Sequence, residues 1–116
     1  MKKVKPEELQ PQPVEFNGAY TPGVTIRWLI KKEDGAGRFA MRYFEIEPNA
    51  EIPEHTHEWE HELFVLQGKL QITEDDRVEI VEANTAVFIK PNARHSYKNI
   101  GDTKALMLCL IPYLEE

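Results

Sequence analysis

The 116 residues include a single cysteine, Cys109, and no histidine outside two short stretches. One thiol cannot close an intramolecular bridge, and a structural zinc site, which usually takes several thiolates, is excluded on the same ground. No stretch approaches the roughly 20 apolar residues that a membrane span requires. The start, MKKVKPEELQPQPVEF, lacks the long apolar core of a secretory signal, so the expected location is cytoplasmic. Positive charge is in deficit: 14 lysines and arginines face 20 acids, for a net charge of -6. That balance repels phosphate backbones instead of releasing their counterions, which argues against a nucleic-acid partner. No segment of helical length carries a helical period, and there is no internal repeat or low-complexity tract. What remains is one domain, long enough to bury a core without disulfides.

The chain is rich in short strand-like runs. VTIRWLI, RFAMRYFEIE, ELFVLQ, KLQIT, RVEIVE, AVFIK, HSYKNI and ALMLCLI are eight of them, separated by Asp34-Gly35, Pro48-Asn49, Gly68, Asp75-Asp76, Asn84, Pro91-Asn92 and Gly101-Asp102. Short strands with turn residues between them predict an all-β sandwich or barrel. Residues 1–22 are polar and dotted with Pro6, Pro11, Pro13 and Pro22, which predicts an extended N-terminal arm ahead of a barrel over residues 23–116. Val14, Phe16 and Tyr20 within the arm imply that part of it packs on the barrel or on a neighbouring subunit.

All four histidines, His55, His57, His61 and His95, fall in HTHEWEH and PNARH. Neutral imidazole is the commonest side-chain ligand for first-row transition metals, and it offers one ring nitrogen to the ion while a partner fixes the other. Positions i and i+2 of a strand share a face, so His55 and His57 are expected to point into one interior. His61 joins them if Glu58, Trp59 and Glu60 include a bulge or tight bend. His95 has to arrive from a different strand. A divalent ion held by these four is expected, with an affinity that falls as pH drops through about 6.5 and the imidazoles take up protons.

In these stretches the chain resembles a small single-domain cupin. The first cupin motif, Gly-x5-His-x-His-x3,4-Glu-x6-Gly, is approached by NAEIPEHTHEWEHELFVLQG at residues 49–68, and the second, Gly-x5-Pro-x-Gly-x2-His-x3-Asn, by TAVFIKPNARHSYKN at residues 85–99. The resemblance implies a cupin double-stranded β-helix, a jelly-roll barrel. Asn49, Thr85 and Ala93 stand where the motifs carry glycine; Asn tolerates positive φ, whereas Thr and Ala imply ordinary φ values. His61 stands where the motif has its glutamate ligand, with Glu62 as the runner-up. HTHEWEHELFVL is closest in type to the four-histidine cupins of thermophilic bacteria, and this likeness implies manganese first and iron next. Zinc, nickel or copper could load a purified sample. It also implies a homodimer, joined through the arm or an outer sheet face.

Four neutral imidazoles leave a divalent ion at its full formal charge, a stronger Lewis acid than one held by three imidazoles and a carboxylate. On an octahedral ion they leave two open positions. Strand parity places Tyr97 and Asn99 on the face of His95, and Leu63 and Val65 on that of His61. The resemblance adds Arg42 and Phe44 from an early strand, and Met107 and Cys109 from the last one. Arg42 inside a barrel needs a partner, either a substrate anion or an acid such as Glu51 or Glu54. Trp59 is placed to rim the site or cap the barrel. Arg42 and Tyr97 are therefore the catalytic candidates, and Trp59, Phe44, Met107 and Cys109 the candidate pocket. The expected activity is a metal-dependent dioxygenase acting on a small organic molecule. A non-catalytic module that binds or senses a metal or small ligand is the alternative; an isomerase is weaker, because no spare histidine remains as a proton-transfer base.

Overall fold

Alternating side chains, one apolar and one polar, build the walls of this chain in the computed structural model, which describes residues 1–16 and 18–114. The strands are β1 (Gln12–Phe16), β2 (Ala19–Ile30), β3 (Phe39–Ile46), β4 (Glu51–His55), β5 (His61–Gln67), β6 (Lys69–Glu74), β7 (Arg77–Glu82), β8 (Thr85–Ile89), β9 (His95–Asn99) and β10 (Ala105–Pro112). In β5 the period is clear: His61, Leu63 and Val65 are buried while Glu62, Phe64 and Leu66 face out. Each fully buried aliphatic side chain contributes about 1.5–3 kcal/mol, so a one-residue slip of register reverses the gain along the whole strand.

The strands form two antiparallel sheets, a six-stranded one in the order β1-β2-β3-β10-β5-β8 and a four-stranded one in the order β4-β9-β6-β7. Their inner faces close over one core that draws Val24, Phe44, Val65 and Met107 from the larger sheet and Ile52, Leu70, Ile72 and Tyr97 from the smaller. The expected all-β jelly-roll barrel is what forms. Among the described residues the only helical pieces are two single 3₁₀ turns, Pro6–Glu8 and Lys32–Asp34, and no helix is long and apolar enough to cross a membrane.

Two strands, β1 and β4, are additional to the runs read from the sequence, and β2 starts earlier than its apolar run. The stretch expected as an arm is accordingly divided. β1 pairs with β2 and extends the edge of the six-stranded sheet, and Val14 is buried against the core. Tyr20 is exposed, because it lies on the outer side of that edge. At the other terminus, residues 115–116 of the expected barrel span lie outside the described residues.

Turn chemistry fixes the junctions that matter for the histidines. Asn49, Asp75, Asn84 and Asn92 all take positive φ, 69°, 53°, 67° and 66° respectively. Thr85 and Ala93 keep ordinary φ, and the residue just before each, an Asn, carries the left-handed conformation. Gly68 has φ 95°, and a Cβ there would lie 2.8 Å from the Ala105 Cα. Only glycine lets the β5–β6 turn approach β10 that closely.

Candidate metal centre

The four histidines reach one end of the barrel from both sheets, each at or just beyond a strand terminus. His55 ends β4 and His95 begins β9, and the two are cross-strand partners. His61 begins β5 in the opposite sheet. His57 does not share a strand with His55, as the i, i+2 reading expected; the strand stops at His55, and His57 sits in the segment that bends at Glu58 and Trp59 before β5. Two hydrogen bonds tie this segment to the loop before β9: the Asn92 amide donates to the His57 carbonyl at 2.9 Å and the Thr56 hydroxyl to the Asn92 carbonyl at 3.1 Å. The two motif loops are thus one unit, and this brings residues far apart in sequence to one point.

One ligand nitrogen from each of the four rings can be chosen so that all lie within 4.8 Å of one another. Three rings are oriented by backbone carbonyls: Nδ1 of His55 meets the Pro53 carbonyl at 2.8 Å, that of His57 the Trp59 carbonyl at 3.0 Å, and that of His95 the Ala93 carbonyl at 2.9 Å. A carbonyl only accepts, so these Nδ1 atoms carry the protons and their Nε2 lone pairs face the cluster. Nε2 of His95 is buried with no hydrogen-bond partner, and Nε2 of His61 and His57 lie 2.8 Å apart. Convergent and partly orphaned imidazole nitrogens, two of them on buried rings and two on half-buried ones, fit a divalent transition metal, since the ion would satisfy them together.

Electrostatics keep the set ready for a cation. Burial lowers the pKa of His55, His57 and His95, and it holds His61 down to about 2 with further help from the Arg42 guanidinium and the other imidazoles. The rings are therefore neutral at physiological pH and compete for a metal with little interference from protons.

A cavity of about 120 Å³ opens beside the cluster, lined by His55, His57 and His61 together with Arg42, Phe44, Trp59, Tyr97, Met107 and Cys109. Every residue named from the sequence as catalytic or pocket-forming therefore lies on one wall or another of this cavity. Arg42 Nη2 donates to Cys109 Sγ at 2.9 Å and lies 3.3 Å from His61 Nδ1, while its Nε is buried without a partner. Its guanidinium rests against Trp28 and Phe44. Among the described residues Arg42 pairs with no carboxylate; Glu51 and Glu54 are exposed. Burial raises the Tyr97 phenol well above its ordinary pKa, so its hydroxyl, which has no partner, stays protonated and acts as a donor rather than a base. Trp59 stacks on the His57 ring, with centroids 4.1 Å apart and planes at 7°.

Glu62, the runner-up ligand, is exposed on the outer face and lies outside the cluster, as strand parity requires. Asn99 is buried at the far end of β9, away from the cavity. Two wall residues were not foreseen as pocket residues, Ile52 and Phe16. Phe16 comes from the supposed arm and its ring sits 4.7 Å from that of His55. The signal was an aromatic residue in an otherwise polar, proline-dotted segment.

Comparison with known proteins agrees with this geometry. The family described as the cupin domain matches residues 42–111, which include all four histidines and both candidate catalytic residues. The chain belongs to the cupin family. Among solved structures, this cupin is similar to the polyketide cyclase RemF of Streptomyces resistomycificus, with 32% identity and a TM-score of 0.87 over 100% of this chain and 88% of that one. A protein named polyketide synthase CurC, from Streptomyces cyaneus, is 27% identical over 110 residues, 93% of this chain and 70% of its own. A predicted oxalate decarboxylase from Thermotoga maritima shares the fold, with a TM-score of 0.82 at 22% identity over 97% of this chain and 100% of that one.

Proposed function

We propose that this cupin is a metal-dependent enzyme that acts on a small, oxygen-rich, enolisable molecule of the polyketide type, closing a ring without an external oxidant. The observation that carries the reading is the convergence of four neutral imidazoles beside a cavity that three of them line, whose other walls are mostly apolar and whose one charged group is a guanidinium with no carboxylate partner. The full-length similarity to a polyketide cyclase supports it.

A divalent ion held by His55, His57, His61 and His95 would supply Lewis acidity toward a substrate oxygen. The surrounding residues do the rest. Arg42 presents a buried Nε–H with no protein acceptor, which can bind an oxygen that gains negative charge. The protonated Tyr97 hydroxyl offers a second donor and can hand a hydrogen bond to a carbonyl or hydroxyl of the substrate. Phe16, Phe44, Trp59 and Met107 exclude water, and that strengthens both contacts.

A second reading, a dioxygenase, is favoured by cavity size. The cavity of about 120 Å³ opens to solvent, so a small substrate with dioxygen fits within it, whereas a long polyketide chain would extend beyond its mouth. Manganese, then iron, is the metal that reading calls for. The test is to load the protein with zinc, manganese or iron in turn and offer a linear poly-β-keto thioester and a panel of catechols and diketones, with and without oxygen. Turnover by the zinc form without oxygen supports the cyclase. Turnover confined to the manganese or iron form, with oxygen uptake, replaces it with the dioxygenase. No turnover in any form overturns both in favour of a non-catalytic metal or ligand-binding module.

The oligomer we propose is a homodimer formed through the outer face of the six-stranded sheet. Phe39, Phe64, Leu66 and Phe88 are exposed there on strands β3, β5 and β8, a clustering of apolar side chains that a lone domain rarely leaves to water. Light scattering that gives the mass of one chain would refute this assignment.

A further inference from the structure

We infer that Cys109 is the positioning residue for His61, doing with its sulfur what backbone carbonyls do for the other three histidines. The inference rests on the metal-binding reading of the cluster and adds a named second partner to it.

For an imidazole to offer its Nε2 lone pair to an ion, the ring proton has to sit on Nδ1, and Nδ1–H then needs an acceptor. His55, His57 and His95 lie at loop junctions where a carbonyl two residues away is free to accept: Pro53, Trp59 and Ala93. His61 has no such carbonyl. It begins a strand whose neighbours are β10 and β8, so nearby carbonyls are engaged in the ladders, and the Trp59 carbonyl two residues before it is already taken by His57. Two side-chain groups stand near His61 Nδ1: Cys109 Sγ at 3.1 Å and Arg42 Nη2 at 3.3 Å. Arginine has five donors and no acceptor, so it cannot take the Nδ1 proton. Sulfur can.

The sheet order explains why the sulfur is there. β10 lies between β3 and β5, and Cys109 is the direct cross-strand partner of Arg42 on one side and of Leu63 on the other. The same register sets the thiol beside His61, two residues before Leu63 on the same inner face. Arg42 then donates to the sulfur at 2.9 Å and fixes its rotamer. Arg42, Cys109 and His61 form a chain across three strands, and the last member is a candidate ligand. Cys109 is 1% exposed, so bulk water does not compete for its sulfur.

Two substitutions separate positioning from mere packing. C109V keeps the approximate volume and apolar character but removes the acceptor, whereas C109S keeps a hydrogen-bonding atom and is the poorer apolar filler. Cobalt(II) affinity, measured by competition against a chromophoric chelator, is expected to fall by about 10–100-fold in C109V, the usual cost of losing an outer partner of a metal ligand. C109S is expected to stay within about threefold of the parent protein, and the visible absorption of bound cobalt to change in C109V but not in C109S. Thermal unfolding of the metal-free proteins is expected to rank them the other way, with C109V at least as stable as C109S. If C109V does not fold, C109A makes the same comparison against C109S. The inference is overturned if C109V or C109A binds cobalt as tightly as C109S. If the parent protein itself binds no cobalt, the metal reading falls and takes this one with it.

Discussion

His95 and Asn99 are the first and last residues of one strand, β9, and both are polar and fully buried, yet the barrel treats them in opposite ways. Asn99 is saturated. Its side-chain amide donates to the Ile46 and Thr103 carbonyls, each at 2.8 Å, and its oxygen accepts from the Gly101 amide at 2.9 Å. His95 spends Nδ1 on the Ala93 carbonyl and leaves Nε2 with nothing. A satisfied buried polar group ties loops together at the closed end, while an orphaned one marks the end where something else is meant to bind. Five further unusual groups crowd that same end: the paired Nε2 atoms of His57 and His61, the Arg42 Nε, the Trp59 indole nitrogen and the Tyr97 hydroxyl.

The sharpest way to break the comparison is to replace each residue and measure metal affinity and stability separately. H95L removes a ligand while filling similar volume, and the loss of metal affinity by isothermal titration is expected to exceed the roughly 100-fold that an outer partner costs. Next in size is the effect of the ion on the intact protein. At a thousandfold excess over its Kd, a metal that binds only the folded state adds about 4 kcal/mol, and a chelator removes it, both visible as shifts in Tm. N99A leaves two carbonyls and an amide unsatisfied, so chemical denaturation is expected to show a loss of about 3 kcal/mol. Its metal affinity should stay within a few-fold, and a large loss there would erase the distinction between the two ends.

Per unit of pH, a smaller effect comes from acid. The folded pKa of His61 is depressed, to about 2, so between there and about 6.5 the unfolded chain holds a proton that the folded one lacks. Stability of the metal-free protein is therefore expected to fall as pH drops below about 6.5, by roughly 1.4 kcal/mol per unit from His61 alone. Acid denaturation curves with and without metal test this, and a flat metal-free curve between about pH 6 and pH 4 contradicts it. The smallest expected effect is that of E62Q. Glu62 faces solvent, and metal affinity is expected to be unchanged in the same titration.

Much of the candidate site was legible because it depends on local periodicity. His61 inward and Glu62 outward follow from the two-residue repeat of a strand, and so do the burial of Leu63, Val65 and Tyr97. The need for a bend between His57 and His61 was legible from spacing, and the chain does bend at Glu58 and Trp59. The strand reading of His57 was not right, since β4 ends at His55 and a loop hydrogen-bonded to Asn92 holds His57 in place. Phe16 escaped because nothing in its own segment says which wall the edge strand will cover. The choice of partner for Arg42 was also open: Glu51 and Glu54 are closer in sequence than Cys109, but the ladder between β3 and β10 puts the thiol directly opposite.

By itself, the order of residues determined that the chain is built of short strands, that one face of each is apolar, and that all of its imidazoles fall in two short stretches able to meet. Those properties follow from side-chain chemistry and a repeat of two, which act over a few residues. Only the tertiary structure decided which nitrogen of each ring points to the centre, that His61 leans on a sulfur while its companions lean on carbonyls, and that a β1 aromatic closes the cavity. These depend on which strands become neighbours, and strand order is settled by how two whole sheets bury their apolar faces together, a sum over residues from both ends of the chain.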